Sequence, residues 1–123
     1  MKRIRILLAD DDLPMLLATS RLLQADFEVV GTVSDGNSLV EAAFRLHPDV
    51  VVSDISMPKM NGIEAARRIR SSLPGIKFIF LTMHDTKGYR REVEALGVAG
   101  YILKSSAREQ LNQAIYTATE GCV

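Results

Sequence analysis

The stretch PDVVVSDISMPKMNG, residues 48–62, is the strongest indication of the fold of this chain. Within it, Val50–Ser53 is nearly continuous in apolar character, which is typical of a strand covered on both faces. Asp54 ends this run, and Asn61 followed by Glu64 predicts the capped start of a helix. A buried strand that leads into a helix indicates one unit of a parallel sheet.

The same pairing of a β-rich apolar run with a helical pattern occurs four more times. The other runs are Ile4–Ala9, Phe27–Val33, Ile76–Thr82 and Ala99–Leu103. The helical pattern is clearest after the last run, where apolar residues recur at the spacing of one helix face: Leu111, Ala114, Ile115 and Ala118. Five β-α units in succession predict a parallel sheet with helices on both faces, in one domain spanning residues 1–123.

Local signals predict several helix ends. Asp12, with Pro14 in the first turn, is a candidate cap for the first helix. The stretch Ser106–Glu109 forms a capping-box pattern at the start of the last helix. We expect that helix to run to about Glu120, with Gly121 as its C-terminal stop.

The composition is that of an ordinary globular domain, 47% hydrophobic and 24% charged. Lys plus Arg and Asp plus Glu both number 15, so the chain lacks the basic excess of a free-standing nucleic-acid binder. The local basic cluster Arg67, Arg68 and Arg70 is interpreted as a solvated helix face. The single cysteine, Cys122, cannot form an intramolecular disulfide, and no run approaches the length of a membrane span, so we expect a cytoplasmic protein.

Reactive side chains end four of the five predicted strands. They are Asp10, Asp11 and Asp12 at the first strand, Asp54 at the third, Thr82 at the fourth and Lys104 at the fifth. Because function gathers at the carboxyl ends of strands in an open parallel sheet, we expect these groups to meet at one edge. Crowded carboxylates repel one another unless a cation balances them, and Mg²⁺ suits an all-oxygen site. A carboxylate nucleophile beside a metal, an ammonium and a hydroxyl suits phosphoryl transfer.

Each of these residues also has a purely structural interpretation. Asp12 can serve only as a helix cap, and an Asp that ends a strand is often a turn residue. Thr82 can be an ordinary strand residue and Lys104 a solvated one. The functional interpretation depends on the conjunction, since four strand ends converge on one chemistry.

The motifs, in this order, resemble the receiver domains of two-component response regulators over essentially the whole chain. The residues that carry the resemblance are Ile6–Asp12, Pro48–Gly62, Leu81–Asp85 and Gly100–Lys104. The resemblance implies a three-layer (βα)5 flavodoxin-like fold with a parallel five-stranded sheet of order 2-1-3-4-5. It also implies a phosphorylation-activated switch rather than an enzyme, with only self-catalysed phosphoryl transfer and dephosphorylation.

The resemblance implies a role for each residue at the strand ends. Asp54 aligns with the phosphoacceptor, and Lys104 would pair with the phosphoryl oxygens. Asp10 and Asp11 align with the acidic pair of a Mg²⁺ site that also includes Asp54 and the main-chain carbonyl of Ser56. Asp11 would ligate the ion directly and Asp10 largely through water.

Further positions align with residues that tune the switch. Thr82 and Tyr101 match the switch pair, in which the hydroxyl moves toward the phosphoryl group and the aromatic ring changes rotamer. Ser56 and His84 align with positions that control the access of water during dephosphorylation. Many receivers follow the lysine with a proline in a cis peptide bond, but Ser105 stands here, which leaves the isomer of that bond open.

The resemblance also implies partners. The phosphoryl donor would be a sensor histidine kinase. The residues after Thr82 look like the subfamily with a LuxR-type helix-turn-helix output domain, which this chain does not contain. Transcription would be regulated, and DNA bound, only through that domain. Phosphorylation would favour a homodimer, and no membrane association is expected.

Two alternatives are less consistent with the residues. A phosphohydrolase of the haloacid dehalogenase type uses an Asp-x-Asp pair at the first strand, which Asp10–Asp12 could mimic. However, Leu13 and Pro14 follow that pair, and Asp54 would have no role. A degenerate receiver would bind partners without phosphorylation, but every residue type expected at the site is present.

Overall fold

Five parallel strands form one sheet in the order β2-β1-β3-β4-β5, as the resemblance to receiver domains implies. The computed structural model describes residues 3–83 and 87–120. The strands are β1 (Arg5–Ala9), β2 (Glu28–Val33), β3 (Val50–Asp54), β4 (Lys77–Thr82) and β5 (Gly100–Leu103). The helices are α1 (Leu13–Gln24), α2 (Gly36–Leu46), α3 (Gly62–Ser72), α4 (Lys87–Leu96) and α5 (Ala107–Glu120).

The sheet is covered on both faces, which gives the predicted three layers. On one face, Val51 of β3 belongs to a core cluster with side chains of α2, α3 and α4. On the other face, Val50 and Val52 belong to a cluster with side chains of α1 and α5. All three valines are 0% exposed. This two-sided burial explains why the strand is continuously apolar rather than alternating.

The strand boundaries differ slightly from the predicted ones. Strands β1, β2, β4 and β5 each begin one residue later than predicted, and β3 includes Asp54. Phe27 and Ile76 are buried, but their amides donate to the carbonyl oxygens of Leu23 and Leu73. These residues therefore close the turn after the preceding helix before the sheet ladder begins.

Two predicted helix caps are confirmed. Asp12 Oδ1 accepts a hydrogen bond from the Met15 amide at 3.3 Å, at the start of α1. Asn61 Oδ1 accepts one from the Glu64 amide at 2.9 Å, at the start of α3. Each side chain satisfies an amide that has no partner within its own helix. Among the described residues, no helix is long and apolar enough to cross a membrane.

The start of α5 differs from the predicted capping box. A 3-10 turn, Lys104–Ser106, runs directly into α5, and the Ala107 amide donates to the first carbonyl oxygen of that turn. Ser106 therefore lies within a helical turn and not at an extended cap position. The helix ends at Glu120, as predicted, whereas the predicted stop at Gly121 lies outside the described residues.

The basic cluster on α3 is solvated only in part. Arg67 and Arg68 are exposed and pair with Glu64 at 3.4 Å and 3.7 Å. Arg70 is half-buried, and its guanidinium donates to the main-chain carbonyl of Leu96 at the end of α4. The interpretation of this cluster as a solvated face is therefore wrong for Arg70, because a helix-end carbonyl within reach accepts its hydrogen bond.

Candidate functional site

The carboxyl ends of the central strands bring the predicted reactive residues to one edge of the sheet. Strands β1 and β3 are paired up to their ends, so Asp10 and Asp54 occupy neighbouring positions. Strands β4 and β5 are paired up to Thr82, and Lys104 follows directly after β5. These four residues are each at most 9% exposed, and such burial is unusual for the three charged ones, Asp10, Asp54 and Lys104.

The Lys104 ammonium lies between two buried carboxylates. Its Nζ is 2.8 Å from Asp10 Oδ2 and donates a hydrogen bond to Asp54 Oδ2 at 3.1 Å. Charge-assisted bonds of this kind are the strong ones, and they hold all three side chains in fixed positions. The peptide bond that follows Lys104 is trans, as are all others in the described ranges.

Burial and the contacts between Lys104 and the carboxylates shift the pKa values of Asp54 and Lys104. Burial raises the pKa of the Asp54 carboxyl above its ordinary value; Lys104 opposes this rise, and the charge of Asp10 adds to it. Burial acts to lower the pKa of Lys104, but the hydrogen bonds to both carboxylates outweigh it, and that pKa lies above its ordinary value. The ammonium is therefore charged at neutral pH, and the carboxylates compete for it.

Asp11 completes an acidic cluster with Asp10 and Asp54. One carboxylate oxygen from each residue lies within 4.8 Å of the other two. Asp11 is exposed, and the amide of Asp12 holds Asp10 through a hydrogen bond of 3.0 Å to Oδ1. The site contains three carboxylates and one ammonium, so it carries a net negative charge. It is rich in oxygen atoms and opens to solvent at Asp11. Such a donor set can hold a hard divalent cation.

The loop of residues 55–61 joins β3 to α3 and is fixed at its start. The Gly62 amide donates to the Ile55 carbonyl oxygen at 2.7 Å. A Cβ at Gly62 would overlap the carbonyl oxygen of Asp54. This carbonyl oxygen also accepts a hydrogen bond from Ser53 Oγ at 2.7 Å. Glycine is therefore required where α3 begins against the end of β3. Ser56, at the beginning of this loop, is exposed.

The two residues predicted to form the switch pair lie on neighbouring strands. Thr82 is 7% exposed at the end of β4, and Tyr101 is half-buried on β5. The Arg90 guanidinium lies 5.6 Å from the centre of the Tyr101 ring. The buried Tyr101 hydroxyl has no hydrogen-bond partner within residues 3–83 and 87–120. His84 lies outside the described residues.

Sequence reasoning missed a second contact on the loop of residues 55–61. The Gly36 amide donates to the Pro58 carbonyl oxygen at 3.4 Å, and Asp35 lies 4.0 Å from Lys59 Nζ. The available signal was the Asp-Gly pair after the second strand, but it predicts only a turn or helix start. Nothing local in the sequence indicates that this pair touches a loop more than 20 residues away.

Comparisons with known proteins agree with this geometry. Residues 6–116 match the family model described as "Response regulator receiver domain". The transcriptional regulatory protein YxjL of Bacillus subtilis (strain 168) is 39% identical over an alignment of 122 residues that covers 97% of this chain and 56% of that protein. The transcriptional regulatory protein DegU of Brevibacillus brevis is 35% identical over 121 residues, which are 97% of this chain and 51% of that protein.

Solved structures show the same fold. The signal receiver domain of NarL from Mycobacterium tuberculosis has a TM-score of 0.91 and 27% identity, covering 98% of this chain and 99% of that one. A LuxR-family DNA-binding response regulator from Staphylococcus aureus has a TM-score of 0.89 and 28% identity, and the match covers 94% of this chain and 98% of that one. The chain spans about half the length of the curated relatives it matches. It belongs to the response regulator receiver domain family, the signalling input module of two-component systems, and its relatives include LuxR-family regulators.

Proposed function

We propose that this chain is a phosphorylation-activated switch that accepts a phosphoryl group on Asp54 from a histidine kinase, with Mg²⁺. The observation that carries the proposal is the position of Asp54, a buried carboxylate between the Lys104 ammonium at 3.1 Å and the acidic pair Asp10 and Asp11. A nucleophile held between a cation and an oxygen-rich metal site is what transfer of a phosphoryl group requires.

The described side chains fit a magnesium ion. Mg²⁺ prefers one or two protein carboxylates together with waters and phosphate oxygens. Asp11 and Asp54 are the proposed direct carboxylate ligands, with Asp10 in support and the main-chain carbonyl of Ser56 as a further ligand. When bound, Mg²⁺ supplies positive charge that balances the acidic cluster and the phosphoryl oxygens.

The chain's own residues then perform the transfer. A carboxylate oxygen of Asp54 forms a bond to phosphorus as the bond between phosphorus and the kinase imidazole nitrogen breaks, and the imidazole leaves with the electron pair of that bond. Lys104, already within hydrogen-bonding distance of Asp54, stabilises the charge on the phosphoryl oxygens. The Thr82 hydroxyl binds another of these oxygens.

Three further roles complete the proposal. The Thr82 hydroxyl moves toward the phosphoryl group. Tyr101 changes rotamer in response and so transmits the change to the surface formed by α4, β5 and α5. The buried Tyr101 hydroxyl supports this role, because no hydrogen bond to the described residues ties it to the present rotamer. Ser56 and His84 tune the access of water to the acyl phosphate.

The regulatory output is also a proposal. Because relatives about twice as long are transcriptional regulators, we infer that a DNA-binding output domain accompanies residues 1–123 in the whole protein. Phosphorylation would favour a homodimer. The chain by itself carries no net charge, so it should not bind DNA at physiological salt. A cytoplasmic location and a sensor histidine kinase as partner remain predictions.

Incubation with acetyl phosphate and Mg²⁺, followed by intact mass spectrometry, tests the proposal. We expect the gain of one phosphoryl group, its loss when EDTA removes the metal, and no sustained turnover of p-nitrophenyl phosphate. Sustained turnover would favour a phosphohydrolase instead. A chain that gains no mass and turns over no substrate would be a degenerate receiver that works without phosphorylation.

A further inference from the structure

The tip of the loop of residues 55–61 lies against the first residue of α2. A Cβ at Gly36 would lie 2.6 Å from both the carbonyl carbon and the Cβ of Met60, and it would overlap the Met60 carbonyl oxygen. Real Cβ atoms essentially never approach other atoms so closely. Any side chain at Gly36 must therefore move either α2 or the loop, and the obstacle is backbone, which cannot rotate out of the way.

Further contacts join the same two segments. The Gly36 amide donates to the Pro58 carbonyl oxygen at 3.4 Å, and Asp35 lies 4.0 Å from Lys59 Nζ. Lys59 adopts a φ of 69°, a left-handed conformation that a residue other than glycine keeps only when its surroundings hold it. The Met60 amide closes the turn by donating to Pro58 at 2.8 Å. The loop is therefore held at Ile55 by α3 through Gly62 and at Pro58 by α2 through Gly36, and Ser56 lies between these two points.

We propose that Gly36 is a positioning residue for the Mg²⁺ site: by allowing α2 to contact Pro58 and Met60, it fixes the loop that carries Ser56. This inference rests on the proposed function, because it concerns affinity for the ion that the site is proposed to bind. A side chain at residue 36 would displace the loop tip and with it the Ser56 carbonyl relative to Asp54. Residues that orient metal ligands without touching the metal typically contribute about tenfold or more to metal affinity.

Titration of the unphosphorylated protein with Mg²⁺, followed through backbone amide chemical shifts, tests the inference without relying on activity. We expect Gly36→Ala to weaken Mg²⁺ binding by about tenfold and to shift the amides of Ser56, Met57, Lys59 and Met60 before any metal is added. The labelling rate with acetyl phosphate should fall at low Mg²⁺ and recover as Mg²⁺ approaches saturation. Destabilisation of a variant that stays folded without metal would not produce this recovery, since it leaves the Mg²⁺ affinity of the folded protein unchanged.

Two controls separate positioning from general effects of mutation. Gly75→Ala makes the same substitution where the new Cβ meets nothing within 4 Å, so Mg²⁺ affinity should not change. Ile115→Val removes a methyl group from the core on the opposite face of the sheet, so it lowers stability without touching the loop. If Gly36→Ala does not fold, Met60→Gly loosens the same contact from the loop side and should also weaken Mg²⁺ binding.

The outcomes distinguish this inference from the proposed function. A wild-type protein that binds no Mg²⁺ would overturn both. If wild type binds Mg²⁺ and Gly36→Ala binds it equally well, with shifts confined to α2, the positioning role of Gly36 is wrong and the phosphoacceptor site stands. An equal loss of affinity in Ile115→Val would also overturn the positioning role.

Discussion

Lys104 is the residue on which the described geometry most depends. Its ammonium is the cation that both buried carboxylates, Asp10 and Asp54, contact within 3.1 Å. Removing one partner from a buried ionic group leaves charge that is neither paired nor solvated. We therefore predict that Lys104→Met lowers the free energy of unfolding of the metal-free protein by about 3 kcal/mol at pH 7. Urea unfolding measures this loss, and added Mg²⁺ should reduce it.

The control for this prediction is an exposed lysine near the same site. The Lys59 side chain is 66% exposed and 4.0 Å from its acidic neighbour. Lys59→Met should therefore change the free energy of unfolding by less than about 0.5 kcal/mol. A Lys104→Met protein as stable as wild type in the absence of metal would contradict the arrangement of buried charges described here.

Asp35 provides a prediction with a defined pH dependence. The Ser38 amide donates to this carboxylate at 2.7 Å and lowers its pKa below the ordinary value of 3.8. Burial opposes this shift, while the Ser38 hydroxyl and Lys59 add to it. A lowered folded-state pKa contributes stability that is complete above the unfolded-state pKa and is lost as pH falls through the folded-state value. Asp35→Ala should therefore lower the free energy of unfolding by about 1 kcal/mol at pH 7 and by less below about pH 4.

Asp35→Asn distinguishes the charge from the helix cap. Asparagine caps helices as well as aspartate but does not titrate. The difference in unfolding free energy between wild type and Asp35→Asn should favour wild type at pH 7 and shrink as pH falls below about 4. A difference that stays constant between pH 7 and pH 3 would mean that the Asp35 charge contributes nothing.

At the scale of elements, strand β5 carries a buried hydroxyl that the described residues do not satisfy. Burying a hydroxyl without a hydrogen bond is unfavourable, so deleting it removes a cost. We predict that Tyr101→Phe leaves the unphosphorylated protein equally stable or more stable, by up to about 1 kcal/mol. Tyr116→Phe is the matched control, since Tyr116 on α5 is 40% exposed and its hydroxyl can reach water.

The opposite result would be informative about the switch. If Tyr101→Phe lowered the free energy of unfolding by more than about 1 kcal/mol, the Tyr101 hydroxyl would be hydrogen-bonded in the unphosphorylated state to a group outside the described residues. The ring would then be held in place and would not be free to exchange, which contradicts the proposed relay. Denaturant unfolding of the two Tyr variants and wild type decides between these results.

The elements themselves were largely predictable from sequence. Continuous apolar runs such as Val50–Ser53 predicted the strands because two-sided burial leaves no polar face. Asp12 and Asn61 were recognisable caps because their bonds lie within a single helix turn. The start of α5 was predicted wrongly, because the 3-10 turn that begins at Lys104 depends on how the chain leaves β5 and not on local propensity.

At the scale of the whole molecule, the strand order converts residues far apart in sequence into one site. Parallel strands that end together made the meeting of Asp10, Asp54, Thr82 and Lys104 predictable. Contacts that depend on how elements pack were not predictable. Arg70 on α3 contacts the end of α4, and Gly36 contacts the loop before α3. Both contacts depend on how the elements pack in three dimensions, which no local sequence pattern indicates.

We propose that Asp54, and no other carboxylate of the acidic cluster, accepts the phosphoryl group. The most direct test is to label the protein with acetyl phosphate and Mg²⁺, reduce the acyl phosphate with borohydride to homoserine, and locate that residue by peptide mass spectrometry. We expect homoserine at position 54 alone, and no labelling of Asp54→Asn. Homoserine at position 10, 11 or 12, or full labelling of Asp54→Asn, would contradict it.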